Sequence, residues 1–182
     1  MPALKLKERV GRKVLEKRIQ RQKKSRAIVS FEKAQNILIA YSSEQPETEL
    51  TLINQFVQQL KSLNKKVTRL IYLGKLKRKA VKPGDIAGTI YLNSEDFNLW
   101  GLPVSPKSNE VLNTAYDYII NLSMHSPVQL CSMTACSNAS LRIGPYHASD
   151  LACYDLMLGN MKNPDLKHFI QDLNHYIPKL HS

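Results

Sequence analysis

The sequence predicts one α/β domain with a single doubly wound, mostly parallel sheet (Rossmann-like), preceded by a basic N-terminal helical arm. Short apolar runs alternate with segments of helical periodicity through residues 28–182, a pattern typical of parallel strands covered by helices. The positive charge is concentrated in residues 1–27, which hold eleven Lys or Arg and two Glu. The remaining residues hold fifteen Lys or Arg and thirteen Asp or Glu. The arm therefore carries a net charge of +9 and the domain +2.

The clearest strand–helix–strand unit is the segment YDYIINLSMHSPVQLCSMTACSNASLRIGPY at residues 116–146. Residues 116–122 form an apolar run that is too short for a buried helix and fits a strand covered on both faces. Ser126 and Pro127 then favour the start of a helix. A second strand follows at LRIG, so this segment predicts a right-handed βαβ unit.

The other elements follow from the same two patterns. A strand is predicted where an apolar run is flanked by polar residues, and a helix where apolar residues recur every three or four positions. Acidic residues favour a helix start near residue 47, and the motif NPD favours another near residue 165. In chain order, the sequence predicts a helix at residues 3–25, a strand at 36–41, a helix at 47–63, strands at 67–73 and 89–92, a helix at 108–114, the βαβ unit, a strand at 153–158 and a closing helix.

The chain resembles two groups of proteins. The motif YDYIINL, followed by a helix and by LRIGPY, resembles the acceptor-side Rossmann-like lobe of the heptosyltransferase-type glycosyltransferases. The chain is also similar to a family of small Bacteroidota α/β proteins that is known only as a domain of unknown function. The motifs that carry this resemblance are FEKAQNILIAY, DFNLWGLPVSP, YDYIINLS, LRIGPY and YDLML. The second resemblance covers roughly residues 10–180. It implies one α/β domain behind a basic helix, and it implies no activity.

The composition excludes several kinds of site. Cys131, Cys136 and Cys153 are odd in number and form no CxxC pair, so we expect neither a disulfide framework nor a metal site. No apolar run approaches the ~18 residues of a membrane span. The N-terminus lacks the apolar stretch of a signal peptide, so we expect a cytoplasmic protein. Neither a glycine-rich phosphate loop nor a GxSxG motif occurs, so the sequence predicts no cofactor and no catalytic residue.

The basic arm indicates binding to a nucleic acid. Its cations can neutralise several phosphates and release counterions, which gives affinity that does not depend on base sequence. The arm contains no aromatic residue, so stacking on bases is not expected. A loop after the second strand adds further cations. The predicted nucleic-acid-binding residues are Lys5, Lys7, Arg9, Arg12, Lys13, Lys17, Arg18, Arg21, Lys23, Lys24, Arg26, Lys75, Lys77, Arg78 and Lys79.

Two other interpretations of the arm remain open at this point. The arm has a narrow apolar stripe, so it could be a solvated helix that docks on the domain without any further role. It could instead contact an acidic membrane surface or an acidic protein, although the stripe lacks the Trp and Phe residues that favour insertion into a membrane. The stripe consists of Leu6, Val10, Val14 and Leu15, with Ile19 on its margin.

The carboxyl edge of the sheet is the second candidate site. In open parallel sheets, ligands bind outside the carboxyl ends of the strands, where the strand order reverses. Polar residues follow several predicted strands, and the candidate ligand edge is Ser42, Ser43, Asn93, His125 and Ser126. Two of these residues have simpler interpretations: Ser126 caps a helix, and His125 hydrogen-bonds a loop carbonyl.

These features together predict a non-enzymatic, cytoplasmic binding or accessory protein whose arm contacts RNA or a ribonucleoprotein such as the ribosome. The alternative is a small-ligand-binding protein or an enzyme that uses the carboxyl edge of the sheet, by analogy with the glycosyltransferase lobe. An acidic protein partner for the arm is a third hypothesis.

Overall fold

Six strands form one sheet in the computed structural model of the protein, which describes residues 2–21, 27–74, 87–125, 127–159 and 165–180. The strands are β1 (Asn36–Ser42), β2 (Lys66–Tyr72), β3 (Thr89–Leu92), β4 (Tyr116–Asn121), β5 (Ala139–Pro145) and β6 (Leu156–Leu158). The α-helices are α1 (Pro2–Arg21), α2 (Glu47–Ser62), α3 (Pro106–Asn113), α4 (Val128–Cys136) and α5 (Leu166–Tyr176). None of the helices within these ranges combines the length and the apolar character that a bilayer crossing requires.

The strand order is β3-β2-β1-β4-β5-β6, and every neighbouring pair is parallel. The order reverses between β1 and β4, because the chain moves outward from β1 to β3 and then returns to the other side of β1. Helices α2 and α5 pack on one face of the sheet, and α3 and α4 pack on the other. The prediction of a doubly wound α/β fold with a parallel sheet is therefore confirmed.

The core is centred on β1, whose side chains alternate between the two faces of the sheet. Ile37 and Ile39 pack on the α2 and α5 side, whereas Leu38 and Ala40 pack on the α3 and α4 side. All four are fully buried, and each large aliphatic side chain contributes about 1.5–3 kcal/mol relative to exposure. A strand that is covered on both faces requires a continuous apolar run, which is the feature that identified it in the sequence.

Helix α1 forms a further layer on the outer side of α4. Leu15 is 1% exposed and belongs to a small apolar cluster with Leu102 and Cys131. Gly11 lies against the loop before α3, where an added Cβ would stand 2.5 Å from the Trp100 carbonyl oxygen. Because α4 has the sheet on one side and α1 on the other, residues 130–135 are all buried. Helix α1 thus contacts the domain, and the boundary between arm and domain at residue 27 stays a prediction.

Several element starts differ from the sequence-based prediction by one to three residues, and two of these differences concern the packing around α4 and beneath α1. The last strand is predicted from Cys153 and begins at Leu156. The reason is that Cys153 and Tyr154 are buried in the cluster beneath α1 and do not continue the alternation of a strand. The N-cap residue of α4 is Pro127, which makes no side-chain capping bond. The predicted cap, Ser126, lies outside the described residues.

Candidate functional site

A row of cations covers the outer side of α1. Arg9, Lys13 and Lys17 are exposed. They are four residues apart, which places them on one side of the helix, and successive members rise by ~6 Å along its axis. Gly11 and Leu15 are buried on the opposite side. Helix α1 therefore packs through its apolar side and presents its charged side outward. We call Arg9, Lys13 and Lys17 the basic row.

Two of the other predicted nucleic-acid-binding residues lie away from the basic row, and the structure does not describe the side chains of the remaining ten. Arg12 points inward and pairs with the carboxylate of Asp150, and Arg18 is half-buried near Cys136. Three residues belong to α1 but have side chains outside what the structure describes: Lys5, Lys7 and Arg21. Seven lie outside the described residues altogether: Lys23, Lys24, Arg26, Lys75, Lys77, Arg78 and Lys79.

A groove of about 300 Å³ runs between α1 and the turn that follows β5. Arg9, Lys13 and Glu16 line it from α1. Leu151, an exposed apolar residue of the turn, lines the other wall, and Cys153 lies deeper in the groove. Two members of the basic row thus border a concave surface as well as facing solvent.

A second concave site, with a volume of about 280 Å³, lies at the carboxyl edge of the sheet between β1 and β4. The chain after β1 enters α2 on one face, whereas the chain after β4 enters α4 on the other. The two loops therefore separate and leave a crevice at the point where strand order reverses. Ser42 and Gln45 line this crevice from the first loop, Ser123 and His125 from the second, and Tyr72 from the end of β2.

The polar groups of the crevice are hydrogen-bonded to one another. The Ser42 amide N–H donates to Gln45 Oε1 and to Ser123 Oγ, each at 3.0 Å. The Ser123 hydroxyl donates to Gln45 Oε1 at 2.9 Å. The Gln45 amide group donates to the Leu122 carbonyl oxygen at 3.2 Å and to the Glu49 carboxylate at 2.9 Å. Gln45 therefore joins the ends of β1 and β4 and fixes the width of the crevice.

Two carboxylates determine the electrostatics of the crevice. Glu44 and Glu49 both line it, and its lining from the described part of the chain includes no Lys or Arg. Burial, followed by the charge of Glu44, raises the pKa of Tyr72 to about 12, so its phenol stays neutral. The two carboxylates give the crevice a negative charge, so it repels phosphate groups and favours neutral or cationic ligands.

The predicted residues of the sheet edge have different environments. Ser42 and His125 line the crevice together, and His125 is exposed. The Ser43 hydroxyl oxygen is buried and has no hydrogen-bond partner among the described residues. The Asn93 side chain accepts a backbone N–H at 2.9 Å and caps the turn that follows β3. Ser126, as noted, lies outside the described residues.

A third cluster is buried between α1, α4 and the turn at residues 148–153. The thiols of Cys131 and Cys153 and the carboxylate of Asp150 converge there, with one atom of each within 4.8 Å of the others. Each of the three residues is at most 4% exposed. A hydrogen bond with Cys131, together with burial, raises the pKa of the Cys153 thiol, so this thiol stays protonated at neutral pH.

Sequence reasoning missed the Gln45 bridge and the buried cluster for different reasons. Gln45 and Ser123 follow predicted strands within a few residues, and this position at the carboxyl edge is a signal that could have found them. Cys131 and Cys153 belong to different elements and show no ligand spacing. Only the packing of α4 against the turn that follows β5 brings the two thiols together.

One protein family matches nearly the whole chain. The match covers residues 7–180, from the first turns of α1 to the residues that follow α5. The chain belongs to the family of unknown function DUF6913. The predicted membership of a domain of unknown function is thereby confirmed, and the match includes α1 together with the sheet. No curated protein and no solved structure matches the chain.

Proposed function

We propose that the protein binds RNA through the outer side of α1. The observation that carries this proposal is the orientation of α1, whose apolar side packs on the domain while the basic row faces outward. The arm supplies most of the net charge, and the domain behind it is close to neutral. The positive charge is therefore concentrated in one segment of the chain, which can attract a polyanion.

Phosphate groups are the part of RNA that the basic row fits. Arg and Lys make short, charge-assisted hydrogen bonds with phosphate oxygens. Each neutralised phosphate also releases counterions, which strengthens binding at low salt. The arm has no aromatic side chain on which bases could stack. We therefore expect binding that depends on backbone charge and shape, as for the structured RNA of a ribonucleoprotein, and not on base sequence.

The packing of α1 argues against a membrane surface as the partner. A helix that binds a bilayer inserts its apolar side among the lipids. In this protein, Gly11 lies against the Trp100 carbonyl and Leu15 packs in the cluster with α4. The domain therefore already occupies the apolar side around Gly11 and Leu15, whereas Leu6, nearer the N-terminus, is 61% exposed. An acidic protein would use the same outward cations as RNA, and the experiment below separates these two partners.

The test compares two variants of equal net charge. One replaces the three members of the basic row with Gln. The control replaces three exposed lysines of the domain with Gln: Lys33, Lys61 and Lys167. Affinity for a fluorescent structured RNA is measured by anisotropy at about 0.1 M salt. In the duplex parts of such an RNA, three phosphate contacts contribute ~0.9 each to the slope of log K against log salt. Relative to ~1 M salt, where this contribution vanishes, they strengthen binding at ~0.1 M by about 500-fold, so the row variant should bind more weakly by up to that factor.

The control variant should lose much less affinity than the row variant, because its cations are scattered over the domain. Equal losses in the two variants would mean that net charge alone governs binding. Wild-type protein that binds no RNA but is captured by a polyglutamate surface would assign α1 to an acidic protein partner. Either result would contradict the RNA proposal.

The crevice between β1 and β4 supports a second candidate function, the binding of a small neutral or cationic ligand. The observation that favours it is the position of the crevice at the strand-order reversal, where open α/β sheets bind ligands. Hydrogen-bonding groups of Ser42, Gln45 and Ser123 converge there. Glu44 and Glu49 set the ligand charge by repelling anions.

A thermal-shift screen tests this second function. Polyols and small amines should include a compound that raises the melting temperature, because a ligand of the native state stabilises it by mass action. Glu49→Gln should reduce the shift given by an amine and leave that given by a polyol nearly unchanged. Shifts that occur only with nucleotides or sugar phosphates would contradict the charge argument.

A further inference from the structure

We propose that Cys131, Asp150 and Cys153 bind a zinc ion between α1, α4 and the turn at residues 148–153. Two sulfur atoms and one carboxylate oxygen lie within 4.8 Å of one another. Cysteine sulfur together with a harder oxygen ligand is a combination that zinc accepts, whereas magnesium and calcium prefer oxygen alone. This site is buried behind α1, so the inference does not depend on the basic row or on RNA.

The spacing of the ligand atoms fits a tetrahedral ion. Zinc binds sulfur at about 2.3 Å and a carboxylate oxygen at about 2.0 Å, so two such ligands at a tetrahedral angle lie about 3.5 Å apart. Cys131 Sγ and Asp150 Oδ2 are 3.5 Å apart. Tyr154 Oη stands 3.9 Å from Cys131 Sγ. The fourth position is therefore open to this phenol or to a water molecule.

Neighbouring groups hold the carboxylate in the orientation that a metal ligand needs. The Ser149 hydroxyl donates to Asp150 Oδ1 at 2.9 Å, and Arg12 pairs with the same oxygen. The other oxygen, Oδ2, faces Cys131. Outer partners of this kind fix the orientation and charge of a ligand before the metal binds. Asp150 is therefore oriented with one oxygen held and the other directed at the thiols.

The charges of the site balance when a divalent ion binds. Without the ion, the Asp150 carboxylate balances the Arg12 guanidinium. As each zinc–sulfur bond forms, its thiol releases a proton to the solvent, so two thiolates balance the two charges of the ion. Arg12 Nη1 lies 3.5 Å from Cys131 Sγ and donates to it. The loaded site is then neutral overall, which suits its burial.

The groove beside α1 gives the ion a path to the site, because Cys153 lines that groove. Once bound, the ion would connect α4 to the turn that follows β5, and Arg12 would connect α1 to the Asp150 ligand. Zinc would therefore stabilise the docked position of α1. Removal of the ion should make α1 more accessible to a protease before the rest of the domain is cut.

The experiment loads the full chain with metal under reducing, oxygen-free conditions. Protein stripped with a chelator receives zinc or cobalt, is desalted, and its metal content is measured by mass spectrometry. We expect about one equivalent of retained metal, since the folded chain already holds the two sulfur atoms and the carboxylate close together before the metal binds. Cobalt should give an intense near-ultraviolet band from thiolate-to-metal charge transfer. That band reports sulfur ligands in the wild-type protein, so this part of the test does not depend on whether a variant folds.

Four variants assign the ligands. Cys131→Ser, Cys153→Ser and Asp150→Asn should each lose most of the retained metal, whereas Cys136→Ser should retain it, because that half-buried thiol lies outside the cluster. Wild-type protein that retains less than about a tenth of an equivalent, or shows no charge-transfer band, overturns the proposal. So does an equal loss in Cys136→Ser.

Discussion

Replacement of Gly11 by Ala tests whether α1 lies against the domain as described. The new Cβ would stand 2.5 Å from the Trp100 carbonyl oxygen and 3.4 Å from Val128 Cγ2. The first contact is with backbone, which cannot rotate away as a long side chain can. Either α1 or the loop that carries Trp100 must therefore move. On a helix that did not touch the domain, the same substitution would meet no obstacle.

Two opposing contributions decide the size of the effect. Ala favours a helix over Gly by about 1 kcal/mol. An extra methyl group in a well-packed contact costs about 1–3 kcal/mol, and the upper half of that range applies because the obstacle is backbone. We expect Gly11→Ala to lower the free energy of unfolding by about 1–2 kcal/mol. A helix free of the domain would instead give an increase of up to about 1 kcal/mol.

The assay is urea unfolding followed by tryptophan fluorescence. The chain has one Trp, and Trp100 lies at the contact itself, so the native spectrum should also shift in the variant. Gln20→Ala, at an exposed position of α1, is the matched control and should change stability by less than about 0.5 kcal/mol. A Gly11→Ala protein that is more stable than wild type, with an unchanged native spectrum, would refute the docking of α1.

Three further predictions concern the buried charges and phenols. Lys65 Nζ donates to three backbone carbonyls of the turn before β1, those of Phe31, Glu32 and Ala34, at 2.8, 3.1 and 2.8 Å. Lys65→Met should therefore cost about 3 kcal/mol in urea unfolding, whereas Lys66→Met, at the exposed neighbouring position, is the control and should cost less than about 0.5 kcal/mol. Arg142 is buried and makes a forked ion pair with Asp155, whose side chain is 30% exposed. Asp155→Asn should lower the free energy of unfolding by about 2–3 kcal/mol, below the range for a fully buried pair. A decrease of less than about 0.5 kcal/mol would contradict this prediction. Burial raises the pKa of Tyr72 from 10.0 to about 12. The stability that this shift contributes is complete below pH 10 and is lost as the pH rises towards 12. Between about pH 9 and about pH 11, Tyr72→Phe should therefore lose less stability than wild type, and parallel losses in the two proteins would show that another group is responsible.

The sheet could be predicted from the sequence because its strands depend on local patterns. The run NILIAY is apolar throughout since β1 is covered on both faces, and β3 has the predicted bounds, Thr89–Leu92. The last strand was predicted too early because Cys153 and Tyr154 are apolar enough to extend its run. Their side chains fill the space beneath α1 instead. In a sequence, apolar character alone does not show whether a residue continues a strand or packs in a cluster outside the sheet.

The candidate sites were predictable only in part, because they depend on how distant segments pack. The carboxyl edge follows from the general topology of open α/β sheets, and Ser42 and His125 were identified that way. The bridge made by Gln45 requires knowing that β1 and β4 are neighbours. The inward turn of Arg12 requires knowing that Asp150 lies beneath α1. In the sequence, Arg12 is one more cation in a basic helix.

The salt dependence of RNA binding by the full chain tests whether α1 binds RNA phosphates. If Arg9, Lys13 and Lys17 each neutralise one phosphate, they should together contribute about −2 to the slope of log K against log salt for single-stranded RNA, or about −2.7 at the charge density of a duplex. The variant without the basic row should give a slope smaller by the same amount. A wild-type slope near zero, or a slope that the variant leaves unchanged, would contradict the proposal that α1 binds RNA phosphates.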